Sequence, residues 1–462
     1  MTRIVPIVLA VALFMETMDA TVIATSLPVI AADLGTSPIA LKLALTSYYV
    51  SLAVFIPVSG RLADRFGAKN VFRLAIAVFM LGSLACALSS SLEAFVASRF
   101  LQGVGGAMMT PVGRLLLVRA VPKSDLVGAM AWFTIPALIG PLVGPPLGGA
   151  IATYSDWRWI FLINLPIGAI GILLATRFLP FVERVRTVSF DAPGFLLSGF
   201  ACAGLVFGFS IISLPALPPV FGVGLILAGL AAGLAYIRHS RRTETPILRL
   251  SLLRVPTLRA SITAGTLFRV GTGATPFLLP LMLQMGYGYT ALQSGLVASA
   301  AMGGAIAMKF LARPLLKRFG FRSTLMVSTV VGGALIVAIG FETLWGSVIV
   351  LAGLLLVGGF FRSLFFTGIN TLGFADLSTA QAGDATAMMA ATQQVSIAMG
   401  VALAGTVLEA GMAIAGSQTP QIADFAAAFA VAGVLMMSAA LPFLALPREA
   451  GDEVAGRQVP AE

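Results

Sequence analysis

Residues 41–90 read LKLALTSYYV SLAVFIPVSG RLADRFGAKN VFRLAIAVFM LGSLACALSS, and this stretch decides the fold. Two apolar segments of about twenty residues flank a short polar sequence that runs from Gly60 to Lys69. That length lets an α-helix cross the hydrocarbon core of a bilayer, and a helix satisfies its backbone hydrogen bonds internally. The stretch therefore predicts two membrane-spanning helices joined by a tight basic turn.

The rest of the chain repeats this pattern. Of its 462 residues, 58% are hydrophobic and only 10% are charged, and the mean hydropathy is +0.98. A water-soluble domain cannot bury so much apolar surface, so a lipid bilayer must surround the chain. Cys86 and Cys202 both lie in apolar segments, which indicates neither a disulfide framework nor a metal site. We predict an all-α, polytopic membrane protein.

The apolar runs predict fourteen membrane-spanning helices, arranged as two six-helix bundles with two extra helices between them. The approximate limits of the fourteen spans are 5–31, 41–60, 71–90, 93–118, 127–152, 158–178, 192–213, 218–237, 259–285, 291–313, 323–341, 346–371, 384–411 and 424–446. The predicted domains are an N-terminal bundle (1–180), cytoplasmic linkers with the extra pair (181–257), a C-terminal bundle (258–447) and a cytoplasmic polar tail (448–462).

The distribution of cations over the loops sets the orientation. Cations concentrate on one side of the fourteen spans, and cytoplasmic loops carry an excess of Lys and Arg. The residues on that side are Arg61, Arg65, Lys69, Arg73, Arg119, Lys123, Arg177, Arg184, Arg186, Arg238, Arg241, Arg242, Lys309 to Arg322, and Arg448. The opposite loops hold mainly Lys42 and Arg158, beside Asp33, Glu93, Asp156, Glu342 and Asp424. We expect a multi-pass protein of a bacterial inner membrane with both termini cytoplasmic. The net charge of +10 is a topology signal, so no nucleic acid partner is expected.

A weak internal repeat relates the two predicted bundles. LADRFGAKNVF at residues 62–72 resembles LLKRFGFRSTL at residues 315–325, and each follows the second helix of a bundle. Parallel repeats of this kind build secondary transporters whose two bundles rock around a midplane site.

The polar turn of the opening stretch, residues 60–69, has the sequence GRLADRFGAK and places one carboxylate among several cations. Glycines permit the turn, and the Asp64 carboxylate can accept hydrogen bonds from Arg65 or from a neighbouring helix N-terminus. A solvated basic loop is the alternative. The residues of this candidate gating loop are Gly60, Asp64, Arg65, Gly67 and Lys69.

Two further strings lie inside spans. Residues 99–107, RFLQGVGGA, place Arg99 within the membrane, where a charge is costly and needs a partner unless it extends to the outer interface. Residues 140–149, GPLVGPPLGG, repeat glycine every fourth position, which lets another helix approach closely, although packing alone can explain this. The residues of this glycine and proline motif are Gly140, Pro141, Gly144, Pro145, Gly148 and Gly149.

The first span carries two carboxylates, Glu16 and Asp19, on one helical face. Two acids in a low-dielectric cavity disfavour double ionisation, which suits a group that takes up and releases a proton. The alternative is a structural salt bridge between this pair and Arg99 or another arginine.

These strings resemble those of the major facilitator superfamily, and specifically of its fourteen-span drug:proton antiporters, the EmrB/QacA-like family. The resemblance also includes MDATVIATSLP at residues 18–28 and WRWIFLINLPIG at residues 157–168, and it covers essentially the whole chain. It implies that residues 60–69 act as a cytoplasmic gate latch, that Arg99 is linked to proton transfer and that residues 140–149 form the antiporter motif. It also implicates Asp19 in proton or substrate binding, with Glu16 as a helper or second proton site. Ala24 and Ala68 depart from the usual residues of that family.

The second half contributes two intramembrane cations, Arg269 and Arg362, and Arg114 lies deep in the fourth span. Asn370, Gln393 and Gln394 add hydrogen-bonding groups, for which packing between helices is the alternative role. We treat these six residues as candidates for a substrate cavity. If the arginines line it, the cavity accepts anionic or zwitterionic compounds as well as cations.

The chain is predicted not to be an enzyme, because its only histidine, His239, lies in a basic linker and no triad, metal cluster or phosphate loop is apparent. We predict an exporter of small amphipathic compounds that works by proton antiport and alternating access. It would need no cofactor beyond the proton gradient, and it is compatible with a monomer. The alternatives are a dedicated exporter of an anionic or zwitterionic metabolite and a membrane sensor of the same fold that carries no flux.

Overall fold

The computed structural model describes residues 4–122, 125–180, 190–212, 214, 217–341, 346–378, 381–447 and 449–451, apart from the side chains of 126, 127, 131, 137 and 313. The described part is helical and contains no strand, which confirms the all-α fold class. The fourteen spans comprise Ile4–Asp33, Lys42–Phe66, Ala68–Leu88, Leu92–Ala120, Leu126–Tyr154, Trp159–Phe178, Ala192–Ile211, Pro219–Ser240, Pro256–Gly286, two spans within Ala291–Gly340, Val348–Leu372, Ala382–Ala415 and Ile422–Leu444. Lys123, Arg184, Arg186, Glu342, Arg448 and most of the predicted polar tail lie outside the described residues.

Thirteen described helices are long and apolar enough to cross a membrane by length and composition. The predicted fourth span, Leu92–Ala120, has the length but is not among them. Its polar residues Arg99, Gln102 and Arg114 lower its hydropathy, and two of them, Arg99 and Arg114, are candidate functional residues.

Several spans depart from a single regular helix. The first span is α-helical to Val22, tightens to a 3-10 turn at Ile23–Ser26 and resumes as Leu27–Asp33. The last is α-helical over Ile422–Ser438 and ends in a short helix, Leu441–Leu444.

Two glycines occupy the same position in the internal repeat. Gly67 ends the second span with φ of 91°, and Gly320 breaks the run Ala291–Gly340 with φ of 74°. Side chains disfavour positive φ, so glycine is needed at both turns. The tenth and eleventh spans are therefore joined by the counterpart of the turn that joins the second and third.

Two large apolar cores fill the described part of the molecule. One lies within the first bundle, spans one to six, and includes Leu9, Phe72, Phe79, Met109 and Phe133. The other includes Phe268 and Phe365 of the second bundle, spans nine to fourteen, whose rings stack with centroids 3.7 Å apart, and it continues into the first bundle at Leu27 and Phe161.

The inserted seventh and eighth spans pack on each other, and the seventh also packs on both bundles. A Cβ at Gly204 would lie 2.8 Å from Cα of Gly229, so the two helices touch through glycine. Val206 of the seventh span packs with Val50 of the second span and Ala398 of the thirteenth. The inserted pair thus bridges the bundles at their seam. The predicted domain limits at residues 180, 257 and 447 stay a prediction.

A carboxylate holds the linker that follows the inserted pair. Asp191 accepts hydrogen bonds from the backbone N–H groups of Gly194 (2.9 Å) and Ile247 (3.2 Å), and its Oδ1 lies 2.7 Å from Nε2 of His239. Partial burial acts to raise the pKa of Asp191, but these hydrogen bonds outweigh it and lower the pKa below its usual value. His239 therefore helps to hold the end of the eighth span against the start of the seventh, where it contacts Asp191.

Candidate functional site

The Asp19 carboxylate lies at the centre of a buried polar network in the first bundle. Its Oδ2 accepts a hydrogen bond from Nη1 of Arg99 at 2.8 Å, and its Oδ1 accepts one each from Gln102 and Asn164, also at 2.8 Å. The amides of Gln102 and Asn164 also donate to Oγ of Ser83, at 2.7 and 3.1 Å. Asp19 has no exposed surface and Arg99 almost none. The first, third, fourth and sixth spans thus meet at one buried ion pair, in which both carboxylate oxygens of Asp19 accept hydrogen bonds.

Close helix packing brings an aromatic ring over the arginine. A Cβ at Gly103 would lie 2.7 Å from Cβ of Ser51, so the glycine lets the fourth span approach the second. This approach places the Tyr48 ring 4.3 Å from Cζ of Arg99, a distance at which the ring face attracts a cation. Arg99 is consequently bound within the bundle and does not extend to the interface.

Glu16 has different surroundings. It is half-buried, and its Oε2 accepts a hydrogen bond of 2.5 Å from the hydroxyl of Thr110. No cation lies within salt-bridge distance of it in the described part of the chain. Arg114 follows Thr110 by four residues on the same helical face and is exposed. Of the two acids in the first span, Glu16 is the one that solvent or substrate can reach.

The glycine motif of the fifth span packs against the first span. Added Cβ atoms at Gly140, Gly144 and Gly148 would collide with Thr17, Thr21 and the Val22 carbonyl. The hydroxyls of Thr25 and Ser26 donate to the carbonyls of Pro145 and Gly148, both at 3.2 Å. Gly149 faces the other way, where a Cβ would collide with the Ala291 carbonyl of the second bundle. The motif therefore positions the helix that carries Glu16 and Asp19.

The two bundles meet at the end of the molecule that holds Lys42, Glu409 and Gln284, which we name the closed end. Nζ of Lys42 lies 2.6 Å from Oε2 of Glu409, and both side chains are buried. Gln284 donates to the Thr25 carbonyl at 2.9 Å. The pair joins the second span of the first bundle to the thirteenth span of the second bundle.

The candidate gating loop lies at the opposite end, which we name the motif end. Asp64 pairs with Arg119 at 2.8 Å and not with the adjacent Arg65. Lys69 donates to the Leu179 carbonyl at 2.6 Å, and Arg61 donates to the Pro246 carbonyl at 2.9 Å. The loop thus connects the second span to the fourth span, the sixth span and the linker. Gly60 has open space around it.

The remaining cavity candidates differ in burial. Arg269 is 1% exposed and Arg362 is half-buried, and both lie near the middle of their spans. Asn370 is exposed, whereas Gln393 and Gln394 are half-buried. Neither arginine forms an ion pair or a hydrogen bond with Glu16 or Asp19 in the described part of the chain.

Two members of the Asp19 network were not singled out from the sequence. Gln102 and Asn164 both lie within strings that carry the family resemblance, and a polar side chain inside an apolar span was the available signal. Lys42 was predicted only as a loop cation.

Comparisons with known proteins agree with this architecture. The profile of the Major Facilitator Superfamily matches residues 9–401 and 261–461. The putative multidrug resistance protein MdtD of Pectobacterium carotovorum is 39% identical over 401 residues, covering 87% of this chain and 86% of that protein. Its namesake in Salmonella heidelberg is 37% identical over 403 residues, with 87% and 85% coverage.

Solved structures show the same fold at lower identity. The nucleoside transporter NupG matches with a TM-score of 0.64 at 16% identity, covering 96% of this chain and 98% of that chain. A D-xylose–proton symporter also gives 0.64, at 14% identity, with 94% and 96% coverage.

Proposed function

This chain belongs to the major facilitator superfamily and is a membrane transporter and not an enzyme, and from that premise we propose that it exports small amphipathic compounds in exchange for protons. The names of its relatives support multidrug efflux as the broad activity. The main support for proton exchange is the pair of carboxylates in the first span. Glu16 is half-buried without a cation partner in the described part of the chain, and Asp19 is paired with Arg99.

The cycle that fits this geometry is alternating access. The positive-inside distribution assigns the motif end to the cytoplasm and the closed end to the outside of a bacterial inner membrane, with both termini cytoplasmic. The described conformation is then closed toward the outside. Opening at the other end requires the Lys42–Glu409 pair to separate. A proton from outside then reaches Asp19 or Glu16, substrate is displaced, and the bundles rock back.

Arg99 is the counter-charge of Asp19 in this scheme. Neutralising Asp19 would leave the arginine buried without that counter-charge. Proton uptake therefore changes the forces among the four helices that meet there. Glu16 is the helper or second proton site.

The proton gradient supplies the energy in this proposal, and no cofactor takes part. A monomer contains all of the residues that the cycle uses. The sensor alternative predicts no flux of substrate or protons, so the transport experiment below also distinguishes it.

The test is Asp19→Asn in inverted membrane vesicles, with antiport followed by a pH-sensitive dye. We expect substrate-dependent proton release to fall to the level of vesicles that lack the protein, because the asparagine cannot exchange a proton. The matched control is Asp33→Asn, which removes the exposed carboxylate that pairs with Arg158 at the end of the same helix. Antiport should persist in that control. Undiminished antiport by a folded Asp19→Asn protein would contradict the proposal.

A further inference from the structure

The second bundle holds a buried arginine that has no acidic partner among the described residues. Arg269 is 1% exposed, and its Nε and Nη2 atoms are buried without a hydrogen bond. The ring of Phe366 lies beside its guanidinium group, with the ring centroid 5.5 Å from Cζ of Arg269. A ring face offsets part of the cost of burying a cation, but it does not satisfy the N–H groups.

A second arginine, Arg362, lies one helical turn from Phe366. Arg362 precedes Phe366 by four residues on the same face of the twelfth span. It lines a cavity of about 40 Å³ together with Thr272 and Thr275, which follow Arg269 along the ninth span. Its described polar contact is a weak one, to Sδ of Met302 at 3.9 Å. The two guanidinium groups therefore belong to one region between the ninth and twelfth spans.

The acids of the second bundle lie elsewhere. At the motif end, Asp376 accepts from Thr257 and Asp384 pairs with Arg249. At the closed end, Glu409 pairs with Lys42, and Asp424 accepts from the backbone of Gln421. None of these four described carboxylates reaches the middle of the bundle. The contrast with the first bundle, where Asp19 neutralises Arg99, is complete over the described residues.

A buried charge needs a counter-charge, and intramembrane charges commonly mark the path of a substrate. We propose that Arg269 and Arg362 bind the acidic group of the transported compound, so that the substrates include organic anions with an apolar body. A carboxylate matches the planar fork of a guanidinium. The cavity that Arg362 lines is large enough for such a group but not for a whole drug-sized molecule, and Arg269 lies one helical turn before its lining residue Thr272. Phe366 and the adjoining rings would contact the apolar body.

Access follows from the difference in burial. Arg362 is half-buried and can meet the anion first, while Arg269 is almost fully buried beside the ring of Phe366. Arg114, exposed on the first bundle, adds a cation on the same side of the membrane as the motif end. The inference deepens the proposed function and rests on it for the transport step, but anion binding can be measured without transport.

The test uses two fluorescent aromatic probes of opposite charge, the anion carboxyfluorescein and the cation ethidium. Transport of each is measured in proteoliposomes for Arg269→Gln, Arg362→Gln and Arg362→Lys. We expect both glutamine variants to lose about tenfold or more of carboxyfluorescein transport, with ethidium transport retained. Arg362→Lys should keep part of the anion transport because it keeps the charge. Arg259→Gln, an exposed arginine of the same ninth span, is the matched control and should transport both probes normally.

Binding is measured separately as the rise in melting temperature of the detergent-purified protein on adding carboxyfluorescein or chloride. The inference predicts stabilisation by carboxyfluorescein that disappears in Arg269→Gln. Stabilisation by chloride alone would mean that the site holds an inorganic ion, and would overturn the substrate assignment. Normal carboxyfluorescein transport in both glutamine variants would also overturn it. Ethidium–proton antiport by a wild-type protein that neither binds nor transports carboxyfluorescein would refute this inference and leave the proposed function standing.

Discussion

At the scale of single residues, two carboxylates three positions apart have opposite surroundings. Asp19 accepts hydrogen bonds from three side chains, whereas Glu16 accepts one from Thr110. A buried ion pair contributes to stability only when its remaining hydrogen-bonding atoms are also satisfied. Gln102 and Asn164 provide that for Asp19, so they support the position and the charge of this carboxylate.

This role predicts the effect of removing one donor. Asn164→Ala should destabilise the protein by about 1–3 kcal/mol, because an oxygen of a buried carboxylate loses a hydrogen bond. Thermal unfolding in detergent measures the change. The control is Thr263→Ala, whose exposed hydroxyl bonds only to carbonyls of its own helix and whose loss should cost less than about 0.5 kcal/mol. Equal melting temperatures for the two variants would show that the network does not support the fold.

At the scale of helices, the sequence predicted the existence and the limits of the spans well, because a membrane span has a nearly fixed length and a uniform apolar composition. The first span was expected at 5–31 and occupies Ile4–Asp33, and the thirteenth was expected at 384–411 and occupies Ala382–Ala415. Irregularities within the helices were not predictable in this way. The 3-10 turn at Ile23–Ser26 depends on its contact with the fifth span, which lies more than a hundred residues along the chain.

Partners across the site were harder to predict than the elements. The proximity of Asp19 and Arg99 was an open alternative in the sequence, because a membrane charge needs a partner. Gln102 and Asn164, whose amides donate to Asp19, stand out in the sequence only as polar residues inside apolar spans. The pairing of Lys42 with Glu409 joins residues 367 positions apart, and neither lies in a motif. Arg269 and Arg362 were predicted as cavity residues. Only the packed helices show that neither of them forms an ion pair or a hydrogen bond with Glu16 or Asp19 in the described part of the chain.

The helix scale also predicts an asymmetry between two glycines. Gly148→Ala should destabilise the protein by about 1–3 kcal/mol, because the new methyl group would collide with the Val22 carbonyl, which cannot move without disturbing the first span. Gly224→Ala lies within a helix and meets open space, so it should be neutral or slightly stabilising. Melting temperatures of both variants in detergent provide the measurement. Similar values for the two would mean that the fifth span does not depend on close contact at Gly148.

At the scale of the whole molecule, the bundles are joined where a buried lysine of one meets a buried glutamate of the other. Lys42 has no exposed side-chain surface, and Glu409 is 8% exposed. Leu292 N–H also donates to the hydroxyl of Thr153 across the same seam, at 3.2 Å. Removing one member of a buried ion pair leaves the other charge uncompensated, at a cost of about 3–5 kcal/mol. The closed end therefore depends on both charges together.

Glu409→Gln should consequently shift the equilibrium toward opening at this end. The reporter is a disulfide between Thr153→Cys and Leu292→Cys, in a protein whose Cys86 and Cys202 have been replaced by alanine, since the two positions are adjacent only while the end is closed. We expect slower cross-linking in the Glu409→Gln protein than in its parent. Exchanging the charges, with Lys42→Glu and Glu409→Lys together, should restore the parental rate, because the pair is re-formed with opposite polarity. An unchanged rate in Glu409→Gln would show that apolar packing alone holds the end closed, and failure of the exchanged pair despite a slow single variant would show that the lysine is needed for its other contacts and not for its charge.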